Sequence, residues 1–125
     1  MKLWKYSGIY LIATGVIHNV VGILMGWEVL RDIVQDGLVN SVNTQPDRNA
    51  IFWFLCLGFF WMIIGQFLHN YILERNKALP VRFGWYLLVF AIVVCVIMPI
   101  SGLWLLVPQA LIIILTGQHD ELGHK

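Results

Sequence analysis

The chain has 125 residues, enough for one domain, and 59% of them are hydrophobic while only 12% are charged. Soluble domains carry about 25% charged residues, and a soluble protein of this size cannot bury so much apolar surface. The apolar composition, with a mean hydropathy of +0.77, therefore predicts an integral membrane protein. The net charge of +1 provides no positive field that would attract nucleic acid.

The first apolar segment, residues 3–27, predicts a membrane-spanning helix. A helix of that length extends about 36 Å, which exceeds the ~30 Å hydrocarbon core of a bilayer. Lys2 and Lys5 lie at its start, as basic residues do in signal peptides. The apolar run is too long for a signal peptide and lacks a small-residue cleavage site, so we expect a span that is retained.

The second apolar segment, residues 49–73, is also long enough to cross a bilayer, and residues 28–48 connect it to the first. Polar and apolar residues in the first part of this connection recur on opposite helical faces, which predicts a short amphipathic helix lying flat at the outer interface. Asp36 and Gly37 can end that helix. It either only connects the two spans or covers a ligand pocket. The polar face carries Glu28, Arg31, Asp32 and Gln35.

The third apolar segment, residues 83–116, would be about 50 Å long as a single helix, which is too long for an ordinary span. Pro99 and Gly102 interrupt it, since proline disfavours helical continuation and glycine permits a turn. We predict two short spans, 83–98 and 102–116, joined by a tight turn. One long kinked helix is the alternative.

Lysine and arginine residues are unequally divided between the two sides of these spans, and such residues accumulate on the cytoplasmic side. The side with the larger number contains the N-terminus, the polar connection 74–82 and the polar tail 117–125. We therefore predict an all-α, four-helix bundle in the inner membrane with both termini in the cytoplasm. The cytoplasmic residues would be Lys2, Lys5, Arg75, Lys77, Arg82 and Lys125, and the outer ones Arg31 and Arg48.

Glycines are spaced for helix packing in the first two spans. Gly8, Gly15 and Gly22 are seven residues apart, as are Gly58 and Gly65. A seven-residue spacing keeps them on one face, and small residues on one face let two helices approach closely in lipid.

His18 and Asn19 flank the first glycine face, so at least one of them should point into the bundle. An intramembrane histidine is costly without a partner. It predicts a proton relay, a ligand contact or a haem ligand, unless it only forms an interhelical hydrogen bond worth about 0.6 kcal/mol. A haem between His18 and His69 of one chain is disfavoured, because their depths differ by about 12 Å, although ligation with a second subunit stays open.

No cofactor or metal site is indicated by the sequence. We expect one of the two thiols, Cys95, to face the bundle and the other, Cys56, to face lipid. They are therefore not expected to form a disulfide or to share a metal ion. The tail contains several metal-ligating residue types, but such clusters are more often solvated polar tails. These residues are His119, Asp120, Glu121 and His124.

The remaining polar and aromatic residues are concentrated toward the outer ends of the spans. A cavity that opens outward between the helices would be lined by them, with His18 deeper, and would take a small lipophilic molecule. The candidate ligand-binding residues are His18, Asn19, Asp36, Asn40, Arg48, Trp53, Ser101 and Trp104.

Short motifs are spread over nearly the whole chain: Gly15-x-x-His18 with Gly22, Asp36-Gly37, Arg48 leading to Phe52-Trp53-Phe54, Leu79-Pro80, and Met98-Pro99-x-Ser101-Gly102-x-Trp104. Together they resemble an uncharacterised family of small four-span bacterial membrane proteins. The chain is also similar, in architecture alone, to the more distant DoxX proteins. Neither resemblance implies an activity or catalytic residues.

The sequence thus favours a non-enzymatic inner-membrane module that binds a small hydrophobic ligand or a partner membrane protein. An alternative is a membrane enzyme or a redox or haem-associated subunit that uses His18 as an acid/base or metal ligand. A further alternative is a small transporter built as a homo-oligomer. No nucleophile elbow, phosphate loop or zinc-protease motif is present.

Overall fold

The computed structural model describes residues 3–42, 44–99 and 102–123, and within these ranges the chain is all-α, without a strand. The predicted all-α class is therefore confirmed for the described residues. Short 3-10 turns, Leu3–Tyr6 and Gly102–Leu105, precede the first and the last helix. The α-helices described are α1 (Ser7–Met25), α2 (Trp27–Gln35), α3 (Pro46–Arg75), α4 (Val81–Ile97) and α5 (Leu106–Gly123).

Helices α1 and α3 pack antiparallel with their backbones nearly in contact. A methyl group on Gly15 would lie 2.6 Å from the Gly58 carbonyl oxygen, and one on Gly65 would lie 2.8 Å from the Gly8 carbonyl oxygen. Gly22 packs closely against the side chains of Phe54 and Leu55 in the first half of α3. All five glycines proposed for helix packing are buried, so they lie between these two helices of the chain itself.

Helices α4 and α5 form a second pair. The chain leaves the helical conformation at Met98, just before Pro99, because the proline ring disfavours the α conformation of the residue before it. The apolar segment is therefore two helices that pack against each other, and not one kinked helix. Gly84, Ala91 and Cys95 of α4 are buried on the face toward α5. Helix α5 continues to Gly123, into the segment predicted to be a polar tail.

The two pairs are joined mainly through α1 and α5, which run antiparallel. The Tyr10 hydroxyl donates to the Leu105 carbonyl at 2.9 Å, and the Gln109 amide donates to the Ser7 carbonyl at 2.8 Å. This register brings the turn before α5 beside the middle of α1. The last residues of α1, Ile23–Met25, stay exposed beyond it.

The segment between the first two predicted spans, residues 28–48, is here called the outer connection. It is held together by Arg48, a residue that is only 7% exposed. Its guanidinium donates to the Asp36 carboxylate and to the Ser41 carbonyl, both at 2.7 Å. The amphipathic helix α2 ends at Gln35, and Gly37 then adopts a positive φ of 94°. Helix α3 begins at Pro46, three residues earlier than the predicted span. Proline is tolerated in the first turn because the backbone N–H groups there have no partner within the helix.

Two helical segments, Leu3–Met25 and Pro46–Arg75, are long and apolar enough to cross a membrane by length and composition. The other two, Val81–Ile97 and Gly102–Gln118, are apolar but shorter. Length and composition are weak evidence for a membrane location, because a buried core helix has the same properties.

We expect Gly15→Leu to destabilise the protein by about 3 kcal/mol, because the new side chain would have to displace the α3 backbone. Thermal unfolding of the purified protein followed by circular dichroism would measure the loss. Ala13→Leu is the control, since Ala13 is exposed on the same helix. Equal melting temperatures for the two variants would contradict the close approach of α1 and α3.

We expect Arg48→Ala to loosen the outer connection, because hydrogen bonds to charged groups are worth about 1.5–3 kcal/mol. Hydrogen exchange of the amides at residues 36–42 should become about tenfold faster or more. Arg31→Ala is the control, because its pair with Glu28 is exposed and worth about 0.3–0.5 kcal/mol. Unchanged exchange in Arg48→Ala would show that the buried guanidinium does not hold this segment.

Candidate functional site

A cavity of about 60 Å³ lies between α1, α3 and the turn that precedes α5. The contributing residues of α1 are spaced three and four apart and therefore share one face of that helix. The two residues from α3 are seven apart and also share a face. The lining residues are Thr14, Ile17, His18, Val21, Phe54, Trp61, Gly102, Leu103 and Leu105.

His18 is held in one orientation by a single residue of α3. Its Nε2 lies 3.0 Å from the Phe54 carbonyl oxygen, and its ring stacks on the Phe54 ring with centroids 3.9 Å apart. A carbonyl oxygen can only accept, so Nε2 carries a hydrogen. In the neutral imidazole, Nδ1 is then an acceptor, and it has no hydrogen-bond partner among the described residues.

Two further polar side chains contribute to the cavity walls. The Thr14 hydroxyl donates to the Tyr10 carbonyl at 2.9 Å, which leaves its oxygen able to accept. Trp61 is 7% exposed, and its indole N–H has no acceptor within the described ranges. A buried donor without a partner costs about 1–3 kcal/mol, so such a group is usually satisfied by an ordered water or a bound molecule.

The size of the cavity restricts what can enter it. About 60 Å³ holds a few water molecules, whereas whole ligands occupy roughly 300–1,000 Å³. Ile17, Val21 and Leu105 are exposed at its rim. The cavity can therefore take one end of a larger molecule, whose remainder would lie along the exposed apolar surface.

Asn19 lies in the interface between α1 and α3 and does not line this cavity. Its side chain is 7% exposed, and neither amide atom has a hydrogen-bond partner in the part of the chain described. The amide lies against Gly58, where a methyl group would overlap it. Asn19 is thus enclosed between two helices, with no room beside it for a ligand.

Of the proposed ligand-binding residues in the outer connection, Asp36 and Arg48 are engaged with each other. Asn40 is exposed and has a positive φ of 59°, a conformation that asparagine tolerates better than most residues. Asp36 and Asn40 lie in the loop and Arg48 in the first turn of α3, and none of the three is part of the cavity wall.

The proposed aromatic residues also lie away from the cavity. Trp53 is exposed and contacts the edge of Phe52. The Trp104 indole donates to the Pro99 carbonyl at 2.8 Å, so it stabilises its own turn. Ser101 lies outside the described residues. Among the proposed ligand-binding residues that the structure describes, only His18 lines the cavity.

Thr14 and Trp61 are the cavity residues that sequence reasoning missed. Thr14 is four residues before His18, so helical spacing alone could have placed both on one face. Trp61 is at the middle of the second predicted span, far from the interface where tryptophan is typically found. A tryptophan there needs a partner for its N–H, and that requirement is the signal that identifies it.

The second histidine of the predicted spans, His69, lies near the other end of α3, where its backbone packs against Gly8. Its Nδ1 is buried without a hydrogen-bond partner in the described ranges. Across the described side chains, no group of three His, Cys, Asp or Glu residues is placed to share a metal ion. The side chains of the tail residues His119, Asp120, Glu121 and His124 lie outside the described part.

Comparison with known proteins returned no matching curated protein and no matching solved structure. A family model described as a family of unknown function (DUF6463) matches residues 2–120. That description names no activity, number of spans or relation to the DoxX proteins. The predicted relationship to an uncharacterised family is confirmed, and because the match covers nearly the whole chain, the protein belongs to the family DUF6463.

Proposed function

We propose that this protein is a four-span protein of the inner membrane that binds a small lipophilic molecule, without catalysis, by taking its polar end into the His18 cavity. The observation that carries the proposal is this cavity. It joins the His18 imidazole, whose Nδ1 can accept a hydrogen bond, to an exposed apolar surface.

The membrane location is supported by where the large apolar side chains lie. The small residues face inward, while α1, α3, α4 and α5 each expose bulky aliphatic or aromatic side chains. Such a surface is unfavourable in water but is solvated directly by lipid tails. Exposed examples are Leu24 and Met25 on α1, Phe67 on α3, Tyr86 and Val96 on α4, and Leu115 on α5.

The orientation is supported by the distribution of cations between the two ends of the helix pairs. Lys5, Arg75 and Arg82 are near the end where α1 begins, α3 ends and α4 begins. The opposite end carries Arg31 and Arg48, and the guanidinium of Arg48 is neutralised by Asp36. Positive residues accumulate on the cytoplasmic side, so we propose a cytoplasmic N-terminus and C-terminus.

The ligand proposal is supported by the polar character of one cavity residue. Nδ1 of His18 can accept a hydrogen bond, whereas the Trp61 N–H is buried and is not open to the cavity. A hydroxyl group on an otherwise apolar molecule would suit this wall. A partner protein bound through the glycine faces has less support, because Gly15 and Gly58 already pack on each other.

The alternative of a redox or haem-associated subunit has one observation in its favour, the free Nδ1 of His18. A Soret band in the absorption spectrum of the purified protein would favour that alternative over the ligand proposal.

Reporter fusions test the membrane proposal. We expect a green fluorescent protein fused after Lys125 to fluoresce, and alkaline phosphatase inserted after Asn40 to be active, because fluorescence needs the cytoplasm and phosphatase activity needs the outer side. Alkaline phosphatase fused after Lys77 is the control and should be inactive. The opposite pattern would contradict the proposed orientation, and release of the protein by alkaline carbonate would contradict the membrane location.

Two valine substitutions test the ligand proposal. Val21→Phe should lower the amount of co-purified lipophilic molecule about tenfold, equivalent to about 1.4 kcal/mol, because the ring would obstruct the cavity rim. Val20→Phe is the matched control, since Val20 is the preceding residue, is exposed to a similar extent and does not line the cavity. Mass spectrometry of organic extracts would measure both.

His18→Ala should lower the bound amount similarly, because it removes the Nδ1 acceptor. Trp53→Ala and Asn40→Ala should leave it unchanged, since neither side chain reaches the cavity. Equal amounts of the same molecule in wild type, Val21→Phe and His18→Ala would contradict the proposal.

A further inference from the structure

We infer that a second surface of the protein binds an anionic phospholipid of the cytoplasmic leaflet. One acyl chain would occupy an apolar groove between α3 and α4, and the phosphate would be held by Arg75, Lys77 and Arg82. This inference rests on the proposed membrane location and orientation, but not on the His18 cavity.

The α3–α4 groove has a volume of about 380 Å³, within the range of roughly 300–1,000 Å³ that ligand sites occupy. Apart from the Tyr71 hydroxyl, the side chains that line it are purely hydrocarbon. Its walls include exposed Phe67 and Pro80, so a chain can enter from the surrounding lipid. The lining residues are Phe67, Leu68, Tyr71, Leu79, Pro80 and Phe83.

Arg75, Lys77 and Arg82 all lie close to the place where α3 ends and α4 begins, next to this groove. Arg75 follows Tyr71 by four residues, so both lie on one face of α3. Arg82 directly precedes Phe83, and Lys77 lies in the connection between the helices. All three cations are exposed, and none has an ion pair among the described residues.

The local charge selects the headgroup. Residues 74–82 contain three cations and one carboxylate, Glu74, which gives this short segment a formal charge of +2. Basic segments at the cytoplasmic ends of membrane helices attract anionic lipids, and basic pockets between helices hold their headgroups. The apolar groove and the cationic rim therefore match the two halves of one anionic phospholipid.

A second copy of the chain fits this surface less well. In a two-fold dimer the same patch meets itself, so the groove of one copy would face that of the other. Arg75 and Arg82 would then oppose the same cations of the partner, and like charges across an interface are repulsive.

Competitive lipid binding tests the inference. The detergent-solubilised protein would be mixed with equal amounts of phosphatidylglycerol and phosphatidylcholine of identical acyl chains, and native mass spectrometry would measure the bound ratio. We expect wild type to prefer phosphatidylglycerol. Arg82→Gln should lower the preference roughly fivefold, the effect of one cation near an anionic surface. Arg31→Gln, an exposed arginine at the other end, is the matched control and should retain it.

Phe67→Ala tests the groove separately from its rim. It should weaken binding of both lipids and leave their ratio unchanged, because Phe67 contributes to the chain site and not to the charge. A wild type without preference would overturn the inference, as would an Arg82→Gln ratio equal to that of Arg31→Gln. A Phe67→Cys variant that forms disulfide-linked dimers in membranes, where wild type does not, would place a second copy in the groove and also overturn it.

Failure of this inference can be distinguished from failure of the proposed function. A protein that resists carbonate extraction and retains its lipophilic molecule, but shows no headgroup preference, overturns only the lipid site. A protein released by carbonate overturns both.

Discussion

The close approach of α1 and α3 at Gly15 and Gly58 is the constraint on which the rest of the structure depends. With no side chains between the two backbones, the helices cannot slide past each other without a clash. This fixes which residues of α3 lie beside His18, and the Phe54 carbonyl is the one within hydrogen-bond distance. The same register brings the start of α3 level with the outer connection, so that Arg48 reaches Asp36.

The α4–α5 pair contributes the turn that lines the cavity, because α4 is shorter than α3. Helix α4 has 17 residues and α3 has 30, so the α4–α5 turn ends beside the middle of α1. The hydrogen bond from Gln109 to the Ser7 carbonyl holds α5 at that height.

The two proposed sites, the His18 cavity and the α3–α4 groove, differ in size and in chemistry. The His18 cavity is small, and the His18 imidazole forms part of its wall, so it can select the polar end of a molecule. The α3–α4 groove is about six times larger, apolar, and bordered by cations, so it favours a hydrocarbon chain with an anionic head. Because no residue lines both sites, each can be altered by substitution without changing the lining of the other.

Much of the local structure follows from the sequence. Hydrophobic runs and the break at Pro99 are sufficient to predict the helices, and the seven-residue glycine spacing identifies the faces that can pack closely. Polar and apolar residues alternating at helical spacing predict the short helix before Asp36. These features are determined by neighbours along the chain, so periodicity and backbone stereochemistry reveal them.

The composition of the candidate site, by contrast, was decided by tertiary structure. The sequence predicts that Trp104 and Arg48 line one outward-opening cavity with His18 deeper, on the assumption that all outer ends lie at one depth. The structure instead places the α4–α5 turn lower, where Trp104 bonds to Pro99 and Trp61 contributes to the wall. The sequence alone determined which segments are helical and which helix faces are small or polar. The relative heights of the two helix pairs depend on contacts between residues about a hundred positions apart, such as Gln109 and Ser7, and no local pattern encodes that distance.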